Sequence, residues 1–167
     1  MCDQMGADIT TKNVYGANVL HIASQGDAPC PLYYFAKIKN MNINEVDNRG
    51  STPLHWACYS KAEYALSYLL AMGPNLEARD QHGQTPLHLA IKSVAELKST
   101  RPVRSLLLKG SNRASKTNNN QSCLDMIKDT LDQNLKTELQ NMLKEPVYIE
   151  CCLPKIPLVP MKQNHKT

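Results

Sequence analysis

The sequence predicts an all-α solenoid of about four stacked helix–turn–helix units with projecting turns. Three observations predict it. The stretch Gly50-Ser51-Thr52-Pro53-Leu54-His55-Trp56-Ala57 returns thirty-three residues later as Gly83-Gln84-Thr85-Pro86-Leu87-His88-Leu89-Ala90, matching at six of eight positions. An aspartate stands three residues ahead of each glycine, at Asp47 and Asp80. Apolar residues after the first of these copies recur at helical spacing, as Ala65, Leu66, Leu69 and Leu70. Self-similarity at a period this long marks a repeat array.

Composition agrees with small helices. The chain has 167 residues, 42% of them hydrophobic and only 5% aromatic. The net charge of +4 is mild and the basic residues are scattered, which argues against a nucleic-acid partner. Six cysteines show no C-x-x-C pair, so reduced thiols in a cytoplasmic setting are expected. No apolar run reaches the roughly 18 residues that span a bilayer. Cys2 in second position rules out N-myristoylation there.

Residues 1–12 read as the end of a truncated repeat, because Met5-Gly6-Ala7-Asp8-Ile9 aligns with Met72-Gly73-Pro74-Asn75-Leu76. Opening in mid-repeat is expected of a piece of a longer protein; a naturally frayed end is the alternative. Residues 13–46 form the first complete unit, with Asn18 and Val19 where later units have threonine and proline. Its second helix is expected from about Pro31 to Ile38, closed by Asn40 in place of glycine. Residues 47–79 are the most regular unit. Thr52 caps the first helix and Pro53 occupies its first turn. The second helix is expected from Ala62 to Ala71, ended by Gly73.

Residues 80–112 repeat the plan with an insertion, Lys92 to Pro102, that is expected to lengthen the link before a second helix at Val103 to Lys109. Residues 113–144 form a degenerate capping unit. Ser122 is placed to cap a helix there, and Leu131, Leu135, Leu139, Met142 and Leu143 form a one-sided apolar stripe. Residues 145–167 are a Pro-rich linker or tail, since Pro146, Pro154, Pro157 and Pro160 forbid a helix.

The histidines His21, His55 and His88 recur once per unit. At ordinary helix spacing that separates them by about 10 Å. Ligands of one metal ion would each lie about 2 Å from it, so no shared metal site is expected. No Ser-His-Asp or Cys-His set and no glycine-rich phosphate loop is present. The sequence thus offers no catalytic residue, no metal site and no cofactor.

The repeated T-P-L-H-x-A, as Thr52–Ala57 and Thr85–Ala90, resembles the ankyrin repeats over residues 5–144. The resemblance implies units stacked in an arc, histidines bonded to the turn backbone, and a protein or peptide partner in the concave groove. It places Asn48, Arg49, Ser51, Gln81, His82 and Gln84 at turn tips on the binding side, with Tyr59, Ser60, Lys92 and Ser93 at the ends of first helices. Trp56, the only tryptophan, stands where the flanking units have Ile22 and Leu89. Two readings of it stand: packing between units, or a ring lining the groove against a proline or aliphatic side chain.

A finer resemblance rests on Gly50–Tyr59, on Ala90–Val94 with its insertion, on Arg101–Gly110, and on Tyr148–Leu158. Together these are similar to the N-terminal domain of ankyrin-containing palmitoyltransferases of the DHHC type. That implies a substrate-recruiting domain on the cytosolic face of an internal membrane such as the Golgi, tethered through a C-terminal part outside this sequence. The Asp-His-His-Cys motif is absent from these residues. Cys151 and Cys152 are candidates for S-acylation, or else two free thiols in a linker. The alternative to the acyltransferase reading is a free-standing cytosolic adaptor.

Overall fold

The computed structural model describes residues 8–127 and 132–144, which hold seven helices and no strand. These are α1 (Val19–Gln25), α2 (Pro29–Tyr33, continued by a π turn over Tyr34–Ile38), α3 (Pro53–Ser60), α4 (Glu63–Ala71), α5 (Pro86–Leu97), α6 (Arg101–Leu108) and α7 (Gln133–Lys144). The first helices α1, α3 and α5 pack side by side, and α2, α4 and α6 form a second layer behind them. Contact is more extensive within the first layer than within the second.

The recurring octad builds each first helix. In α3, the Thr52 hydroxyl accepts the His55 N–H at 3.4 Å, and Pro53 follows where no backbone donor is needed. In α1, the Asn18 side chain performs the cap, accepting from Leu20 and His21 at 3.0 and 3.2 Å. Leu20, Leu54 and Leu87 are fully buried, beside the small Ala23, Ala57 and Ala90 that allow close approach. Leu66, Leu69, Leu70, Leu106 and Leu107 seal the other layer onto them. Each such leucine contributes about 1.5–3 kcal/mol of burial.

The turns are equally regular. Asp47 Oδ1 accepts from the N–H of Arg49 and of Ser51, both at 2.8 Å, and Asp80 repeats this with His82 and Gln84 at 2.9 and 2.8 Å. Gly83 closes its turn at φ +70, where a Cβ would lie 2.2 Å from Asn118 Oδ1 of the next turn. Each turn docks on its predecessor: Asn48 N–H donates to Tyr15 O, Gln81 N–H to Arg49 O, and Asn118 N–H to His82 O, at 3.0, 2.7 and 3.0 Å.

Four expectations need correction. The insertion does not lengthen a link: α5 runs on to Leu97, twelve residues against eight in α3, because Ile91 and Val94 bury the added turn. The helix after it begins at Arg101, before the expected Val103. The second helix of the first unit begins at Pro29, so Pro31 falls inside its first turn. Ser122 caps only a turn, bonding Asp125 at 2.7 Å, and no helix follows before Ile127. Asn40 does end its helix in the left-handed region, at φ 53. In α7, Leu139 and Leu143 are buried while Leu135 and Met142 are half-buried. Leu131, Met5–Ala7 and the tail with Cys151 and Cys152 lie outside the described residues.

Candidate functional site

Beneath the turns runs a ladder of three buried histidines. Nδ1 of His55 accepts the Thr52 N–H at 3.1 Å and lies 2.9 Å from the Thr52 hydroxyl. A backbone N–H can only donate, so the ring proton sits on Nε2, which donates to Gln84 O of the next turn at 3.1 Å. His88 repeats the arrangement with Thr85 and with Ser115 O, at 3.1 Å each for the two backbone bonds. His21 bridges to Ser51 O at 3.0 Å. Burial pushes all three below the ordinary histidine value, and the accepting carbonyls oppose the shift. Their chemistry is spent on joining units.

Above the ladder, the inner face carries what is left. Trp56 is half-buried: its indole N–H donates to Asp47 Oδ2 at 2.9 Å, and its ring meets His21 edge-to-face at 5.7 Å. The ring thus packs against His21 and Asp47 and still presents part of its surface. Tyr59, one helical turn along α3, is 73% exposed. Ile22 on α1 is 48% exposed, and Leu89 on α5 is half-buried. These four lie across three successive first helices as one apolar and aromatic row.

Polar groups border the row. Asn48, Arg49, Gln81 and His82 are exposed at the turn tips, and Gln81 and His82 bond to each other through their side chains at 3.1 Å. Ser51 and Ser60 are half-buried. Lys92 is exposed and donates to the Gln84 side chain. Two expected positions are corrected. Gln84 is 8% exposed, held under Lys92, and Ser93 is 5% exposed, its hydroxyl turned back to Ala90 O at 2.8 Å. Sequence reasoning also passed over Tyr15, 60% exposed at the first turn tip, and the Lys61–Glu96 ion pair that ties α3 to the added turn of α5. The period held the signal for Tyr15, which occupies the position of Arg49 and His82.

This surface can hold an extended chain by apolar contact and side-chain hydrogen bonds. It presents no nucleophile: Cys58 and Cys123 are buried, and burial raises both thiols, Cys123 to about 12, so neither is a thiolate. Among the described residues no cluster suits a metal ion, and no helix is long and apolar enough to cross a membrane. The family model "Ankyrin repeats (3 copies)" matches residues 2–80 and again residues 20–120. No curated protein matches the chain.

Proposed function

The chain belongs to the ankyrin-repeat family, a protein–protein interaction module, and from that premise we propose that the inner face binds an extended segment of a protein partner. The observation that carries this reading is the row Ile22, Trp56, Tyr59 and Leu89, apolar surface left uncovered between polar turn tips. Trp56 is the anchor. A flat ring held by Asp47 and His21 offers contact area at little entropic cost to a proline or aliphatic side chain. Arg49, Asn48, Gln81 and His82 supply the polar rim, with Tyr59 and Ser60 at the end of α3 and Lys92 partway along α5, not at its end as the sequence suggested.

A peptide array tests the reading. Trp56→Ala is expected to weaken every bound peptide at least about tenfold, as loss of a hot spot does. Arg49→Ala weakens only those with an acidic residue. A melting temperature that collapses in Trp56→Ala, with Trp56→Phe binding normally, would instead make Trp56 a packing residue.

The similarity of Gly50–Tyr59, Arg101–Gly110 and Tyr148–Leu158 to DHHC palmitoyltransferases supports a narrower role. In it this domain recruits substrates on the cytosolic face of an internal membrane, and Cys151 and Cys152 are acylated beside that membrane. The transcript beyond Thr167 is then expected to encode apolar runs of about 20 residues and an Asp-His-His-Cys motif. A stop codon there leaves a free cytosolic adaptor.

A further inference from the structure

The three histidines of the ladder are not equivalent, and the difference lies in one residue. At His55 and His88 the capping residue is threonine, whose hydroxyl hydrogen can be given to Nδ1 at 2.9 and 2.8 Å. At His21 the capping residue is Asn18, and its Oδ1 lies 2.7 Å from Nδ1. That oxygen carries no hydrogen. It already accepts from the N–H of Leu20 and His21, so the amide cannot be turned over without setting its NH2 against two donors.

Both neutral forms of His21 are therefore frustrated. With the proton on Nε2, the ring donates to Ser51 O at 3.0 Å and Nδ1 accepts the Asn18 N–H at 3.2 Å, but the same Nδ1 lone pair also faces Asn18 Oδ1 at 2.7 Å. With the proton on Nδ1 the second contact is satisfied and the lone pair of Nε2 faces the Ser51 carbonyl. Only the imidazolium donates to both oxygens. It then sets Nδ1–H toward the Asn18 N–H at 3.2 Å, a repulsion that protonating either sister would also incur at threonine.

Burial disfavours the cation at His21 as at its sisters, and nearby charges partly oppose that effect. The Asp47 carboxylate, next to His21 through Trp56, favours the cation, as does Glu45; Lys12 opposes it but is paired to Glu45 at 2.6 Å. On the packed helices, α2 carries no acid or base before the exposed Lys37 of its π turn, and α3 presents Trp56 and its own neutral His55. The one acid of α4, Glu63, faces Arg101 on the other side of the stack. The Trp56 ring lies 5.7 Å away, edge-to-face with the imidazole.

We propose that His21 is a proton-responsive joint beneath the groove: taking up a proton at Nδ1 turns its contact with Asn18 into a hydrogen bond and places a positive charge against Trp56, so that the anchor of the binding face changes with pH. The control of binding rests on the groove reading given above; the titration itself needs no partner.

The test uses the whole chain and its single tryptophan. Trp56 emission is followed from pH 8 to pH 5 in the wild type, Asn18→Thr and His21→Gln, and long-range nitrogen–proton NMR assigns the protons on each ring. An imidazolium quenches a neighbouring indole, so the wild type is expected to lose emission in a step, with His21 protonating at higher pH than His55 and His88. Asn18→Thr, which restores the cap of the sister units, lowers His21 to their level and removes the step. His21→Gln removes it as well. Protonation of His21 together with or below its sisters, or a step that survives in His21→Gln, would overturn the proposal. A titration that fails while the peptide array succeeds overturns this joint alone; the reverse overturns the groove.

Discussion

His55 and His88 each join a helix cap to the carbonyl of the next turn as neutral rings, and burial holds both below the value of 6.5. An unfolded histidine then binds protons more readily than a folded one, so the unfolded chain takes up more protons as pH falls. Stability is fully present above pH 6.5 and is lost as pH falls from there toward the folded-state values. Urea midpoints at pH 7.5, 6.5 and 5.5 are expected to fall in that order, and less steeply in His55→Gln; a flat profile would mean that the ladder is not neutral. The histidines were legible in the sequence because one period carried all three. Gln84 and Ser93 were not, since their surroundings decide their burial: Lys92 bonds the glutamine side chain, and the serine lies inside a helix that the insertion prolongs, its hydroxyl turned back to Ala90 O. Trp56 stood out as the residue the repeat does not require, but its bond to Asp47 depended on a turn nine residues back.

At the level of elements, the two central turns are locked by an aspartate at the start, Asp47 and Asp80, a glycine at the end, Gly50 and Gly83, and the next turn laid on top; Asn13 takes the aspartate's part in the first turn. Gly83 and Gly73 separate the two demands on glycine. Both have positive φ, +70 and +71, but a Cβ on Gly73 meets nothing within 4 Å, whereas one on Gly83 meets Asn118 side chain and backbone. Gly73→Ala is expected to cost about 1 kcal/mol, the strain of the left-handed backbone alone. Gly83→Ala adds a displaced neighbour and is expected to cost at least about 2 kcal/mol. Chemical denaturation of the two variants measures the gap, and equal losses would mean that the turns do not bear on one another. Helix starts were readable because threonine or asparagine, then proline or valine, writes a cap locally. The fate of the insertion was less so. Lys92-Ser93-Val94-Ala95-Glu96-Leu97 suits a loop or a helix until Val94 is seen to fall three residues after Ile91 and enter the core. At Ser122 the capping chemistry is present, but the described residues up to Ile127 form only a turn, which a capping signal alone does not distinguish from a helix start.

Across the whole molecule the helices of each unit pack on those of the next, while Glu77 and Arg79 beside a turn reach on to Ser115 and Lys116, so stability is largely a sum of units and joints rather than of one core. The last joint is the most polar. His88 donates to Ser115 O, Glu77 accepts from Asn112 N–H and the Ser115 hydroxyl at 2.7 and 2.9 Å, and Glu138 on α7 accepts from Thr100 and Arg104, each at 2.8 Å. Breaking the His88 link leaves the Ser115 carbonyl and the Thr85 N–H buried without their partner, a loss on the order of 2–4 kcal/mol. In a single core that loss would lower one transition for every probe. In a linear stack it falls on the C-terminal units, while Trp56, in the unit before, keeps its surroundings. His88→Ala is therefore expected to split unfolding: helical circular dichroism declines at lower urea, and Trp56 emission follows later. In the wild type the two probes should coincide. If they also coincide in His88→Ala, the units fold as one body and the groove is rigid from end to end; if they part, a partner that spans the groove stabilises the far units by binding, and the split should close when a bound peptide is added.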